Sequence, residues 1–68
     1  MQPTKPSAAA RNMLRSMLAS ELDQLAVLYR SNPISGWYRT TNERTGRDRI
    51  IDRADALYLL VAHGKAAA

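Results

Sequence analysis

A single histidine, His63, and no cysteine stand in this sequence, so any catalytic or metal-binding centre would have to be assembled from serines and carboxylates. Ser7, Ser16, Ser20, Ser31 and Ser35 all lack the Gly-x-Ser-x-Gly setting of a nucleophile elbow. One imidazole with dispersed carboxylates falls short of the ligand set of a zinc site. Gly36, Gly46 and Gly64 are too far apart to form a phosphate-cradling loop. His63 falls at the end of a predicted helix, where an imidazole can hydrogen-bond the last carbonyls. Asp52 and Asp55 suit the start of that helix better than a general acid and base pair. The sequence therefore predicts a protein without enzymatic activity, catalytic residues, bound metal or cofactor.

Recognition chemistry is better represented. Trp37, Tyr38 and Arg39 are consecutive, and Arg44, Arg47 and Arg49 follow closely. Trp, Tyr and Arg dominate interface hot spots because each joins a large contact area to directed hydrogen bonds. These six residues are the candidate partner-binding set, with another protein as the expected partner. Two plainer readings stand beside it: a Trp in a small protein usually belongs to the core, and hairpin arginines are usually solvated.

Nucleic acid is the alternative partner, through the arginine-rich segment 39–53. Eight of the ten cationic residues are arginine, which pairs equally well with carboxylate and phosphate. The formal charge of +4 also suits an acidic partner. From Arg39 to Asp55, however, five arginines are interleaved with Glu43, Asp48, Asp52 and Asp55, a local excess of one positive charge. A strong nucleic-acid footprint is a less interrupted basic stripe.

The elements that would position these residues follow from periodicity. Residues 1–6 carry two prolines and are expected to form a disordered lead-in, 7–64 a single domain, and 65–68 a frayed tail. From Ser7, a natural N-cap, to about residue 31, Met13, Leu14, Met17, Leu18, Leu22, Leu25, Leu28 and Tyr29 share one half of a helical wheel. Asn32-Pro33 closes that helix. Residues 37–50 have no helical period and read as a short β-hairpin turning at Gly46 or as an ordered loop. A second helix is predicted over 52–63, with Ile50, Ala54, Leu57 and Val61 as its main stripe and Leu59 and Leu60 pointing elsewhere. The fold class is thus mainly α, two helices joined by a loop or hairpin.

Glu21 interrupts the first apolar stripe. Either it sits at the wet edge of the stripe, which the rarity of buried glutamate favours, or it meets an arginine. That arginine would come from across a dimer or from the 39–53 segment.

A chain of 68 residues without cysteine has no disulfide, and little core, to stabilise it, which makes self-association the expected remedy. Both helices also carry more apolar surface than one partner helix can cover. The sequence predicts a helical homodimer using Leu14, Leu18, Leu25, Leu57, Leu60 and Val61. The lack of cysteine fits a cytoplasmic location, and no apolar run is long enough to span a bilayer, so no membrane partner is expected. A small regulator or inhibitor, of the accessory type carried by bacteria, phages and plasmids, is the function these features suit.

Overall fold

The computed structural model describes residues 7–64; the expected lead-in at 1–6 and tail at 65–68 lie outside the described residues. The chain forms three helices and one hairpin in the order α1 (Ala8–Ser16), α2 (Ala19–Ser31), β1 (Trp37–Thr41), β2 (Asp48–Asp52) and α3 (Arg53–Ala62). The fold is therefore mixed α and β, which corrects the mainly α reading and decides between loop and hairpin in favour of the hairpin.

The predicted first helix is two helices. Met17 and Leu18 are both extended, with ψ of 139° and 157°. No glycine or proline causes the break. At the break the Glu21 carboxylate accepts the Leu18 N–H at 3.0 Å and so caps the start of α2. Leucine has no side-chain acceptor to return the bond, so only half of a capping box forms. Breaking here lets Met17 turn into the core and lets α1 pack on α3.

The remaining helix ends follow ordinary chemistry. Ser7 caps α1 by accepting the Ala10 N–H, and its hydroxyl donates to Asp55 at 2.9 Å, tying α1 to the first turn of α3. Asp52 caps α3 by accepting the Asp55 N–H. The hairpin closes through Asn42, which accepts the Arg44 and Thr45 N–H groups with its side-chain oxygen, while Gly46 takes a φ of 72° that residues with a Cβ rarely adopt.

The strands are antiparallel, with Trp37 opposite Asp52, Tyr38 opposite Ile51, Arg39 opposite Ile50, Thr40 opposite Arg49, and Thr41 opposite Asp48. Directly opposed residues share a face. Tyr38, Thr40, Ile51 and Arg49 turn toward the helices, and Trp37, Arg39, Thr41, Asp48, Ile50 and Asp52 turn away. The outer edge of β1 is partly closed by side chains that imitate a strand. The Gln24 amide both accepts from and donates to the main chain of Thr41, each at 2.9 Å, and the Ser35 hydroxyl does the same for Trp37.

The core joins Met17, Leu22, Leu25 and Ala26 to Tyr38 and Ile51 of the sheet and to Ala56, Leu59 and Leu60 of α3. The stripe expected for the second helix is thus reversed. Leu59 and Leu60 face inward, while Ala54, Leu57 and Val61 are exposed, and Ile50 lies on β2 with its side chain outside. Leu25 and Leu60, expected at a dimer interface, are enclosed by their own chain, and Leu14 and Leu18 are half-buried.

Candidate functional surface

Pleating divides the six residues singled out in the sequence. Trp37 and Arg39 project from the outer face of the hairpin, and Arg44 and Arg47 are exposed at its tip. Tyr38 and Arg49 turn inward, Tyr38 buried and Arg49 partly exposed. The Tyr38 ring packs at 5.7 Å from that of Tyr29, and its hydroxyl donates to the Asn32 carbonyl at 2.7 Å. That bond secures the C-terminal end of α2 to the sheet.

Arg49 is engaged by Glu21, its Nε donating to Oε2 at 2.9 Å. The other Glu21 oxygen accepts from the Leu18 N–H and from the Asn42 amide, both at 3.0 Å. Glu21 is fully buried, not placed at a wet edge, and its arginine comes from the 39–53 segment of the same chain. Burial acts to raise its pKa. The Arg49 hydrogen bond, the Leu18 N–H, the Arg49 charge and the Asn42 amide together outweigh burial, so the carboxyl titrates below the usual glutamate value. One carboxylate thereby ties the α1–α2 break to the hairpin loop and to β2.

On the outer face, Trp37 is 55% exposed and Ile50 is 56% exposed, although both are large apolar side chains. Ile50 lies directly opposite Arg39 and diagonal to Trp37, so the three are neighbours. Beside this face, Val27 and Leu28 of α2 line a shallow groove with Arg39, Asp23 and Gln24. A second groove, lined by Leu28, Ser35, Trp37 and Arg39 among others, continues toward the base of the hairpin. Sequence reasoning identified Trp37 and Arg39 but missed Ile50, Val27 and Leu28. The signal for Ile50 was available in strand parity, since it shares the outward side with Asp48 and Asp52.

The tip is electrically mixed. Arg44 and Arg47 are accompanied by Glu43 and by Asp48, whose carboxylate accepts from the Thr41 hydroxyl. Among the described residues, no group of three or more His, Asp or Glu side chains is gathered that could hold a metal ion. His63 lies exposed at the C-cap of α3, where its N–H bonds to the Leu59 carbonyl. No helix among the described residues is long and apolar enough to cross a membrane.

No family model matches the chain, and no curated protein or solved structure matches it.

Proposed function

We propose that this chain is a small non-enzymatic regulator or inhibitor that binds a partner protein through the outer face of its hairpin, and that it acts as a homodimer in a cytoplasmic setting. The observation carrying the reading is the cluster of Trp37, Ile50 and Arg39 on the side of the sheet that the core does not use. The inward residues Tyr38 and Ile51 are the hairpin's apolar contribution to the core. An exposed Trp and an exposed Ile beside an arginine add nothing to that core, and they form an aromatic, aliphatic and cationic set of the kind found at interface centres. The Val27 and Leu28 groove extends the apolar ground next to them.

The test is capture of partners from lysate by the tagged chain, with and without nuclease, in parallel with Trp37→Ala and Ile50→Lys. A protein retained after nuclease treatment and lost in both variants is the expected result. The variants should keep stability within about 1 kcal/mol of the parent, since they change exposed side chains. The exposed Arg44 and Arg47 favour the second reading, a nucleic-acid partner. Recovery of nucleic acid, or loss of every captured protein after nuclease, would reject the protein-binding reading in its favour.

A further inference from the structure

The main chain of β1 is paired with β2 on one side, and the hydrogen bonds at its two ends fix which residues look to the other side. The Asn42 N–H donates to the Arg47 carbonyl and the Arg53 N–H to the Gly36 carbonyl. Bonded and non-bonded pairs alternate along an antiparallel ladder, so the N–H and C=O groups of Trp37, Arg39 and Thr41 point out along the free edge. The Ser35 hydroxyl occupies those of Trp37, and the Gln24 amide occupies those of Thr41. Between these two plugs the Arg39 N–H and C=O have no hydrogen-bond partner among the described residues. A trough runs beside this edge, along α2. Both of its grooves are lined by Leu28 and Arg39; one adds Val27, Asp23 and Gln24, the other Ser35 and Trp37.

We infer that the open stretch at Arg39 receives an extended segment of the partner protein as a third strand, with an acidic residue opposite Arg39 and an apolar residue on either side of it. This rests on the protein-binding part of the proposed function and names what that partner presents. The outward N–H and C=O of one extended residue are the complement of the C=O and N–H of another, so the main chain selects a polypeptide strand. Pleating then assigns the side chains. The residue opposite Arg39 shares its face, where a carboxylate meets the guanidinium. The residues before and after it turn to the other face, toward α2, where Val27 and Leu28 supply apolar contact. Asp23 lies in the same trough next to Gln24, which disfavours a second carboxylate toward the Thr41 end. A second copy of this chain does not fit the edge. Antiparallel self-pairing about Arg39 would set two arginines directly opposite, which destabilises a ladder. It would also drive the Gln24 of each copy against the Ser35 of the other, because each plug covers an end of the edge.

Titration of the full isotope-labelled chain with the blocked peptide acetyl-Thr-Val-Glu-Val-Thr-amide, followed by NMR, tests this. The Arg39 amide should shift saturably and its exchange with solvent should slow. The same peptide N-methylated at its glutamate has no donor for the Arg39 carbonyl and should give neither effect. Replacing that glutamate by lysine should weaken binding by about tenfold, as like charges then face each other. Arg39→Ala should erase the preference for glutamate over lysine. Arg39→Pro removes the outward N–H without breaking a ladder bond and should abolish binding; the N-methylated peptide gives the same information on the parent chain if that variant misfolds. An unmoved Arg39 amide up to the solubility of the peptide, or equal binding of the N-methylated or the lysine peptide, would overturn the inference. So would a partner captured from lysate that is lost in Trp37→Ala but kept in a folded Arg39→Pro variant, and the outer-face reading would then stand without it. Capture unaffected by Trp37→Ala and Ile50→Lys would instead reject the outer-face reading, whatever the peptide does.

Discussion

Removing the Glu21 charge is expected to destabilise this small domain out of proportion to the size of the change. Truncating one member of a buried ion pair costs about 3–5 kcal/mol when the other is left buried and charged. The Arg49 side chain is 28% exposed and keeps part of its hydration, so the low end applies, about 3 kcal/mol for Glu21→Ala. Glu21→Gln retains an acceptor for the Leu18 N–H and the Asn42 amide but loses the charge facing Arg49, and about 2 kcal/mol is expected. The usual per-residue figure gives a domain of this length about 3–10 kcal/mol in total. The alanine variant is therefore expected to be partly unfolded, and the glutamine variant is the one to measure. Urea denaturation followed by far-ultraviolet circular dichroism reads the loss. A double-mutant cycle with Arg49→Met should give a coupling of about 1.5–3 kcal/mol. A Glu21→Gln variant within about 0.5 kcal/mol of the parent would refute the reasoning, since that is the range of ordinary surface substitutions.

The same carboxylate fixes the direction of an acid effect. Its pKa is lower in the folded chain than in the unfolded one, because the Arg49, Leu18 and Asn42 donors outweigh the burial that acts to raise it. The folded state therefore binds this proton less readily than the unfolded state. The stabilisation is complete above the ordinary value of 4.5, is lost as pH falls from there through the folded pKa, and is absent below both. The parent chain should lose stability across that window more steeply than Glu21→Gln. Parallel pH profiles for the two would remove Glu21 from the account.

Two neighbouring positions on the inner face of β1 should respond with opposite signs. Tyr38→Phe removes the 2.7 Å bond to the Asn32 carbonyl while keeping the ring against Tyr29, and a loss of about 1 kcal/mol in urea denaturation is expected. Thr40 is wholly buried and its hydroxyl meets no partner among the described residues. Thr40→Val preserves the branched shape and should raise stability by about 1 kcal/mol in the same assay; a loss there would show that the hydroxyl is satisfied.

The sequence conveyed helix ends more faithfully than helix continuity. Ser7 and Asp52 cap the helices they were expected to cap, because a cap depends on a few adjacent residues. The break at Met17–Leu18 was hidden because no local residue forbids a helix there. The carboxylate that caps it has its other partners, Asn42 and Arg49, 21 and 28 residues away. The trace it left in the sequence was Glu21 itself, a charge inside an apolar stripe, and of the two readings it offered, a wet edge or pairing with an arginine, the pairing is the one the fold contains. The second helix was misread for a related reason. A helix apolar all round contains several possible stripes, and periodicity cannot say which one meets the core. The candidate surface was half legible: composition drew attention to Trp37 through Arg49, and only strand parity could separate the residues that face outward from those that face the core.

Parity also constrains how a partner can be held. Trp37 pairs with Asp52 beside α3, whereas Thr41 pairs with Asp48 next to the loop. Four residue steps at the usual strand rise put the loop end about 14 Å from Trp37. Arg44 and Arg47 therefore do not belong to the same small contact as Trp37, Ile50 and Arg39. Near Trp37 the apolar side chain of Ile50 lies on the same face, with Asp52 directly opposite and Arg39 beside it, and a partner seated on Trp37 and Ile50 would exclude water there, the condition under which a contact slows dissociation. At the tip, Glu43 and Asp48 accompany the arginines in solvent, where charge acts chiefly on the rate of encounter and is screened by salt. On the proposed reading the hairpin divides its labour along its length, with anchoring at the α3 end and steering at the loop. That division follows from the pairing register, which sets Ile50 opposite Arg39 and leaves both tip arginines beyond the last strand pair.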